Sequence, residues 1–517
     1  MNASNYDVSY KYFKKLDGLE KSHPNFSSKY IFSLINSGKF KQALYFSKKI
    51  DRNKTGSFKS DLIIGAHYLK ISRNDLAKKY FLKAKNRNFK SILDNYIINT
   101  LLIWADLKNN NFNNATENLN LLDDRFDNLK KVQEVFLSCY FTHEKTSLLF
   151  KNLISDKQTD FSRYSYFFAK YLDSVGEINK AGQILKDYLE KHPRNLLLNQ
   201  YKIDLNNSRK NFKFDCKNEK DVVSELFFIA ANILSSQSIY PLSNFYLHLS
   251  KYLNEDFQAF DTLLAENFYK IEDYSNAKKV YNGLKKYGSA FEWYSNKQIS
   301  RILVREDNKT EALNLMKKSY NELVLKDVYS TFDYAEFLKN NKEFKNSVEF
   351  YSKVLNQIDT NHPLFPEATD GRGVCYERIG NWNKAEKDFL SSLKASPDQA
   401  YVINYLAYSW IEKGMKIQKS LSMLKKADKL KSNDPYIIDS LGWALFKLKR
   451  YEESKTYLQQ AVKLMPADPI VNDHYGDVLW ENGKEIQARY YWNYVLNLEK
   501  TEKDLKKKIE QKLIKGL

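Results

Sequence analysis

One period dominates this chain: about 34 residues, held through its last third. Starting at Pro435, Leu441 and Gly442 are followed by Ser454, Leu458, Ala461 and Pro466. One period on, Gly476, Ala488, Trp492 and Val495 take the places of Gly442, Ser454, Leu458 and Ala461. From Pro366, the residues Gly373, Tyr376, Gly380, Ala385, Phe389 and Pro397 fit the same template. Small residues at these spacings fall where two short antiparallel helices cross. The proline falls where the second helix must stop, because it cannot continue the helical ladder and it restricts the residue before it. In such an array each unit buries its apolar faces against its neighbours. The roughly three or four globular domains expected from 517 residues are therefore not required.

These residues resemble the tetratricopeptide repeat. That family places a Leu-Gly pair and an aromatic on helix A, then Ala, a large apolar residue, Ala and Pro on helix B. The resemblance is strongest in four units starting near Pro366, Ala400, Pro435 and Pro469. Weaker copies run from Pro24 through Gly38, Ala43 and Ile50, then Gly65, Tyr68, Ala77, Phe81 and Ala84. Others follow at Ala115 and Leu119, at Ala169, Leu172, Gly176, Ala181, Leu185 and Pro193, and at Ala231, Ala265, Ala277, Ala312, Ala335 and Ser347. About a dozen units result, with 127–160 and 194–223 the least marked. The expected fold is all-α, a right-handed α-solenoid of antiparallel helix pairs. It divides into divergent units over 1–160, degenerate units over 161–357, well-formed units over 358–502 and a basic capping helix over 503–517.

Composition agrees with a helical chain. There are only 16 Gly and 9 Pro, and no sustained alternation argues for a sheet. Leu226 to Leu234, the longest apolar run, is interrupted by Asn232 and reads as a buried helix A, being half the length of a membrane span. Cys139, Cys216 and Cys375 lie far apart without a CxxC and read as buried apolar residues rather than a disulfide scaffold. Met1 to Asp7 carries no signal-peptide features. Tyr10 to Leu16, ending at Pro24, reads as a helix B without its helix A. It is either a cap or a sign that the chain continues upstream. The cytoplasm is expected from the chain as it stands, and the periplasm or envelope almost equally if a leader precedes it.

The net charge of +19 is spread as Lys along the whole length, as on a solvated surface. Lys500, Lys503, Lys506, Lys507, Lys508, Lys512 and Lys515, with Leu505, Ile509 and Leu513 at helical spacing, make the densest patch and read as the closing helix. An RNA-reading pentatricopeptide array is the rival repeat class. The Gly on helix A, the Ala on helix B and the terminal Pro favour the tetratricopeptide form.

No phosphate-cradling loop, HExxH or zinc-spaced Cys/His cluster occurs, so no enzyme activity, cofactor or metal is expected. His474, between Asp473 and Asp477, reads as a polar helix A position rather than a ligand. The resemblance implies a concave groove lined by helix A positions 2, 5, 9, 12 and 13. Here these are Tyr401, Asn404 and Tyr408, then Tyr436, Asp439, Trp443 and Phe446, then Asp473, Asp477, Trp480 and Glu481. Aromatics in a groove are binding anchors and carboxylates repel acidic ligands. The expected function is a non-enzymatic scaffold or adaptor that holds a protein partner, a peptide or helix with apolar and basic residues, rather than acidic chaperone tails or nucleic acid. The alternatives are an exported envelope factor that regulates or presents substrates to a protease or cell-wall enzyme, and an RNA-binding repeat protein.

Overall fold

The computed structural model describes residues 6–15, 25–87, 91–206, 213–257 and 259–517. The chain forms two compact units, Met1–Leu325 and Lys326–Leu517. No strand occurs among the described residues. Unit 1 carries α1 (Tyr6–Lys15), α2 (Phe26–Asn36), α3 (Phe40–Arg52), α4 (Phe58–Lys70), α5 (Asn74–Lys85), α6 (Ile92–Ala105), α7 (Phe112–Asn120), α8 (Asp127–Tyr140), α9 (Thr146–Ile154), α10 (Ser162–Ser174), α11 (Ile178–Lys191), α12 (Leu196–Asn206), α13 (Glu219–Ser236), α14 (Tyr240–Leu253), α15 (Phe260–Lys270), α16 (Tyr274–Leu284), α17 (Ser289–Arg305) and α18 (Lys309–Glu322). Unit 2 carries α19 (Val328–Asn340), α20 (Phe344–Leu355), α21 (Phe365–Arg378), α22 (Trp382–Ala395), α23 (Ala400–Glu412), α24 (Ile417–Leu430), α25 (Pro435–Lys447), α26 (Tyr451–Leu464), α27 (Pro469–Glu481), α28 (Glu485–Asn497) and α29 (Lys503–Lys515). The fold is an all-α repeat solenoid.

Three recurring devices explain the hairpins. The first is close approach of the two helices. A Cβ on Gly442 would lie 2.6 Å from Leu458, and one on Gly476 2.5 Å from Trp492, so helix B crosses helix A where the side chain is missing. The second is a hydrogen bond at the same crossing. Ser243 donates to the Ala231 carbonyl at 2.7 Å, Ser347 to Ala335 at 2.8 Å and Ser454 to Gly442 at 2.7 Å. The third is the turn. One residue enters the left-handed region, and the next N–H reaches back to a carbonyl five residues earlier, as in Lys39 to Leu34 (2.8 Å), Glu177 to Leu172 (2.8 Å) and Met415 to Trp410 (2.7 Å). Gly38, Gly176, Gly380, Gly414 and Gly483 fill this place, but so do Ser72, Thr142, Ser238, Glu272, Asp307, Lys342 and Lys449. A β-branched residue at φ 53°, as at Thr142, is the most costly of these. Thr142→Gly should raise the denaturation midpoint of unit 1, by about 1 kcal/mol. A loss of stability would show that the turn is held by the threonine side chain instead.

Residues 127–160 hold the α8–α9 pair, whereas 194–223 hold α12 and the start of α13, with 207–212 outside the described residues. The Tyr10–Leu16 segment falls mostly in α1, and 16–24 lie outside the described residues.

Unit 1 also uses the α13–α14 hairpin as a filling. Phe227, Val222, Val223 and Leu226 of α13 are fully buried. Around the hairpin, Phe32 of α2 stacks on Phe245, His67 of α4 meets the Tyr252 hydroxyl at 2.9 Å, and Tyr246 donates to Asp94 of α6 at 2.8 Å. Arg163 of α10 forks onto Glu225 of α13 at 2.7 and 2.9 Å. The A helices of the early repeats thus face a helix pair from their own chain. The cysteines are not all independent apolar fillers: Cys139 and Cys216, 77 residues apart, are joined as a disulfide, and only Cys375 is free and buried. Spacing along the sequence could not show the pairing, because it arises from the return of the chain to α8.

Candidate functional site

The helix A face of unit 2 is built by register. The Asp434 and Asp468 side chains accept the first N–H groups of α25 and α27, with proline at the first helical position of each. Successive A helices therefore start alike and present the same positions side by side. Side chains of three repeats converge: the His474 ring of α27 lies 3.9 Å from Trp443 of α25 and 6.3 Å from Tyr408 of α23.

The residues of this face separate into two groups. One group is already engaged within the chain. Asp439 is buried and meets His474 at 3.0 and 3.1 Å. Burial opposes charge on the His474 ring, but the Asp439 carboxylate, with Asp473 and Asp477 adding to it, lifts the ring above its ordinary pKa. Trp443 is 7% exposed, donates to Glu412 at 2.6 Å and stacks on Phe446 at 4.8 Å, so it closes the seam between repeats. Asp473 and Asp477 are buried, and both accept Lys512 of α29 at 2.6 Å. Asp477 also accepts Trp492 at 3.0 Å. Burial, with Asp473 beside it, pushes Asp477 up to about 6 against the pull of Lys512. Trp480 is half-buried, lies 5.4 Å from Trp492 and carries Arg489 over its ring.

The other group is open or unsatisfied. Tyr401 and Tyr436, at position 2 of successive repeats, are 54% and 57% exposed, and Glu481 is exposed at the far end. The Tyr401 hydroxyl donates to Asp434 at 3.0 Å, which steadies the ring. Tyr408 is half-buried, and burial with the nearby Glu412, Asp439 and Asp473 carboxylates keeps its hydroxyl protonated. The Asn404 Oδ1 is buried without a hydrogen-bond partner. Asp370, one period before Asn404, is pushed up to about 6 by burial, with Lys339 opposing and Glu336 and Glu367 adding to the rise. The sequence reading began this face at Ala400 and so missed Asp370, though the 34-residue step pointed to it. It also placed Lys512 in a basic surface patch, because nothing in spacing shows that α29 returns to α27. Ile509 of α29 is fully buried and Leu505 and Leu513 pack with it, so the apolar face of this basic helix is spent on the array.

Among the described residues no cluster of three or more His, Cys, Asp or Glu is arranged to hold a metal, and no helix is long and apolar enough to cross a membrane. A tetratricopeptide-repeat family model matches residues 255–501. Over that stretch the chain is similar to tetratricopeptide-repeat proteins. It is 26% identical over 156 residues to the TPR repeat-containing protein PA4667 of Pseudomonas aeruginosa. That match covers 30% of this chain and only 26% of the relative. Solved structures similar to this chain include a tetratricopeptide repeat protein from Parabacteroides merdae, at 14% identity and TM-score 0.40 over 48% of this chain and 94% of the other. YrrB, described as a TPR protein with an unusual peptide-binding site, is similar at 16% identity and TM-score 0.30 over 38% of this chain and 97% of its own. Repeats of this family serve protein–protein interaction.

Proposed function

We propose that unit 2 holds a partner segment on its helix A face, as a non-catalytic adaptor, and that the segment is an amphipathic peptide or helix with Lys or Arg beside apolar anchors. The observation that carries this is the Asp370–Asn404 pair of register-equivalent positions. It offers a carboxylate and an unpartnered amide oxygen, both acceptors, on the A helices of successive repeats, the second of which also carries the exposed Tyr401. Acceptors of this kind take an ammonium, a guanidinium or a backbone N–H. The tyrosines supply apolar area at little rotamer cost. Phosphate would be repelled, so the RNA-binding reading draws no support from this face. The envelope reading, regulation or presentation of substrates to a protease or cell-wall enzyme, is favoured by one observation, the Cys139–Cys216 disulfide.

The test is fluorescence anisotropy of the full chain against labelled helical peptides that differ only in charge. Lys-bearing peptides should bind, acidic ones should not, and Asn404→Ala and Asp370→Asn should each weaken binding about tenfold. Equal binding by both variants would remove the pair from the site.

Asp370→Asn should move stability the other way. The Asp370 pKa in the folded state, about 6, lies above its ordinary 3.8, so the folded form holds the proton more tightly. Stability from this group is complete below about pH 4, falls as pH rises to about 6 and stays lost above. The variant should therefore exceed the native chain by up to about 3 kcal/mol at pH 8, and by nothing near pH 3. Denaturant titrations at the two pH values measure this.

A further inference from the structure

We infer that Cys139 and Cys216 are a maturation site, oxidised to a disulfide by a thiol oxidoreductase, and that the bond closes the repeat array of unit 1 around its own α13–α14 hairpin in an oxidising compartment. Their Cα atoms lie 5.9 Å apart, within the span that a disulfide bridges. Cys139 is fully buried on α8, while Cys216 is partly exposed in the stretch that leads into α13.

A second set of contacts converges on the same place. Tyr140, the neighbour of Cys139, donates to Glu219 at the start of α13 at 2.9 Å, and Asn74 of α5 reaches the same carboxylate oxygen at 3.3 Å. Asn218 caps the first turn of α13, and the Asp215 N–H donates to Asp221 at 3.0 Å. The entry of the hairpin is thus fastened by polar contacts to helices far away in sequence, and the two sulfurs meet at that fastening. Cys375, in unit 2, is fully buried and unpaired, and serves as an internal comparison.

Accessibility sets the order of the exchange. The Cys216 thiolate attacks the disulfide of the carrier, forms a mixed disulfide and releases one carrier thiolate. The Cys139 thiolate then attacks the Cys216 sulfur, the protein disulfide forms, and the second carrier thiolate leaves. Two electrons pass to the carrier, and the two protons lost by the cysteines end on its dithiol. A glutathione-buffered cytosol would return the pair to thiols, so the closed form belongs to the periplasm or another oxidising space. This inference does not rest on the unit 2 groove.

The test takes the full chain from its own host, quenches it in acid, alkylates it in denaturant without reductant, then reduces it and alkylates again with a second label. Cys375 should take the first label, and Cys139 and Cys216 only the second. Digestion before reduction should yield one peptide pair linked through those two residues. First-label modification of all three cysteines, or a linked pair that includes Cys375, would overturn the inference. A thermal scan gives an independent reading. The unfolding temperature of unit 1 should fall by about 5 °C or more on addition of dithiothreitol to the native chain. The same reductant should leave the Cys139→Ser/Cys216→Ser variant unmoved. An equal response by both, or none by the native chain, would contradict the closure.

Discussion

Glu225→Gln should cost unit 1 about 3 kcal/mol, a large share of what a folded unit has to lose. Glu225 has a fully buried side chain, and burial alone pushes its carboxyl pKa up. Its partner Arg163 lies 3.9 Å from the ring of Phe228 and within reach of Phe167, Phe257 and Phe260. The glutamine keeps the shape and one acceptor but leaves the guanidinium charge among aromatic rings with little water to receive it. Breaking one side of such a pair is more harmful than never having built it, because the surviving charge stays desolvated. Denaturant unfolding of the full chain should show the unit 1 transition moved to lower concentration and that of unit 2 unmoved. A double variant, Arg163→Met/Glu225→Leu, should recover most of the loss. If Glu225→Gln is neutral, α13 is not pinned through this pair.

Lys512→Met should be the matching injury in unit 2. The methionine keeps an unbranched stem of similar length but removes the cation that lies near the Trp492 ring and is shared by Asp473 and Asp477. Two buried carboxylates then face each other, and the expected loss is about 3 kcal/mol at pH 8. The sign follows from Asp477. Its folded pKa already exceeds the ordinary 3.8, and loss of Lys512 raises it further. The stability held by its protonated form is complete below about pH 4 and disappears as pH climbs through the folded value. The deficit of the variant should therefore be small at pH 4 and full above pH 7, with hydrogen exchange in α27 and α29 rising in step. A deficit independent of pH would assign Lys512 a packing role instead.

The parts of the fold legible in the sequence are those set within a single repeat. Gly442 and Gly476 mark helix crossings, because only a missing side chain lets Leu458 and Trp492 approach. Pro435 and Pro469 mark helix starts, because Asp434 and Asp468 cap them. The turns were harder to read. Gly176 and Gly414 announce a left-handed residue, whereas Thr142, Glu272 and Lys342 adopt the same conformation without the residue that favours it, which is why 127–160 was so faint. What joins distant repeats left no periodic trace. The burial of Leu226 to Leu234 was readable, but not that α13 fills the array of its own chain. The disulfide between Cys139 and Cys216 was equally hidden. In the groove, the family resemblance implied one face for Tyr401, Asn404 and Tyr436. It could not show that Asp439, Asp473 and Asp477 already have partners, two of them through Lys512 from a helix outside the period.

The most direct test of the account is site-specific photo-crosslinking in the host cell. A photoreactive residue replaces Asn404 on the helix A face in one strain and Thr456, exposed on α26, in another. The account predicts that position 404 captures a partner through a segment rich in Lys or Arg with apolar residues at helical spacing, and that position 456 does not. Capture of the same partner with equal yield at both positions, or through an acidic segment, would contradict it.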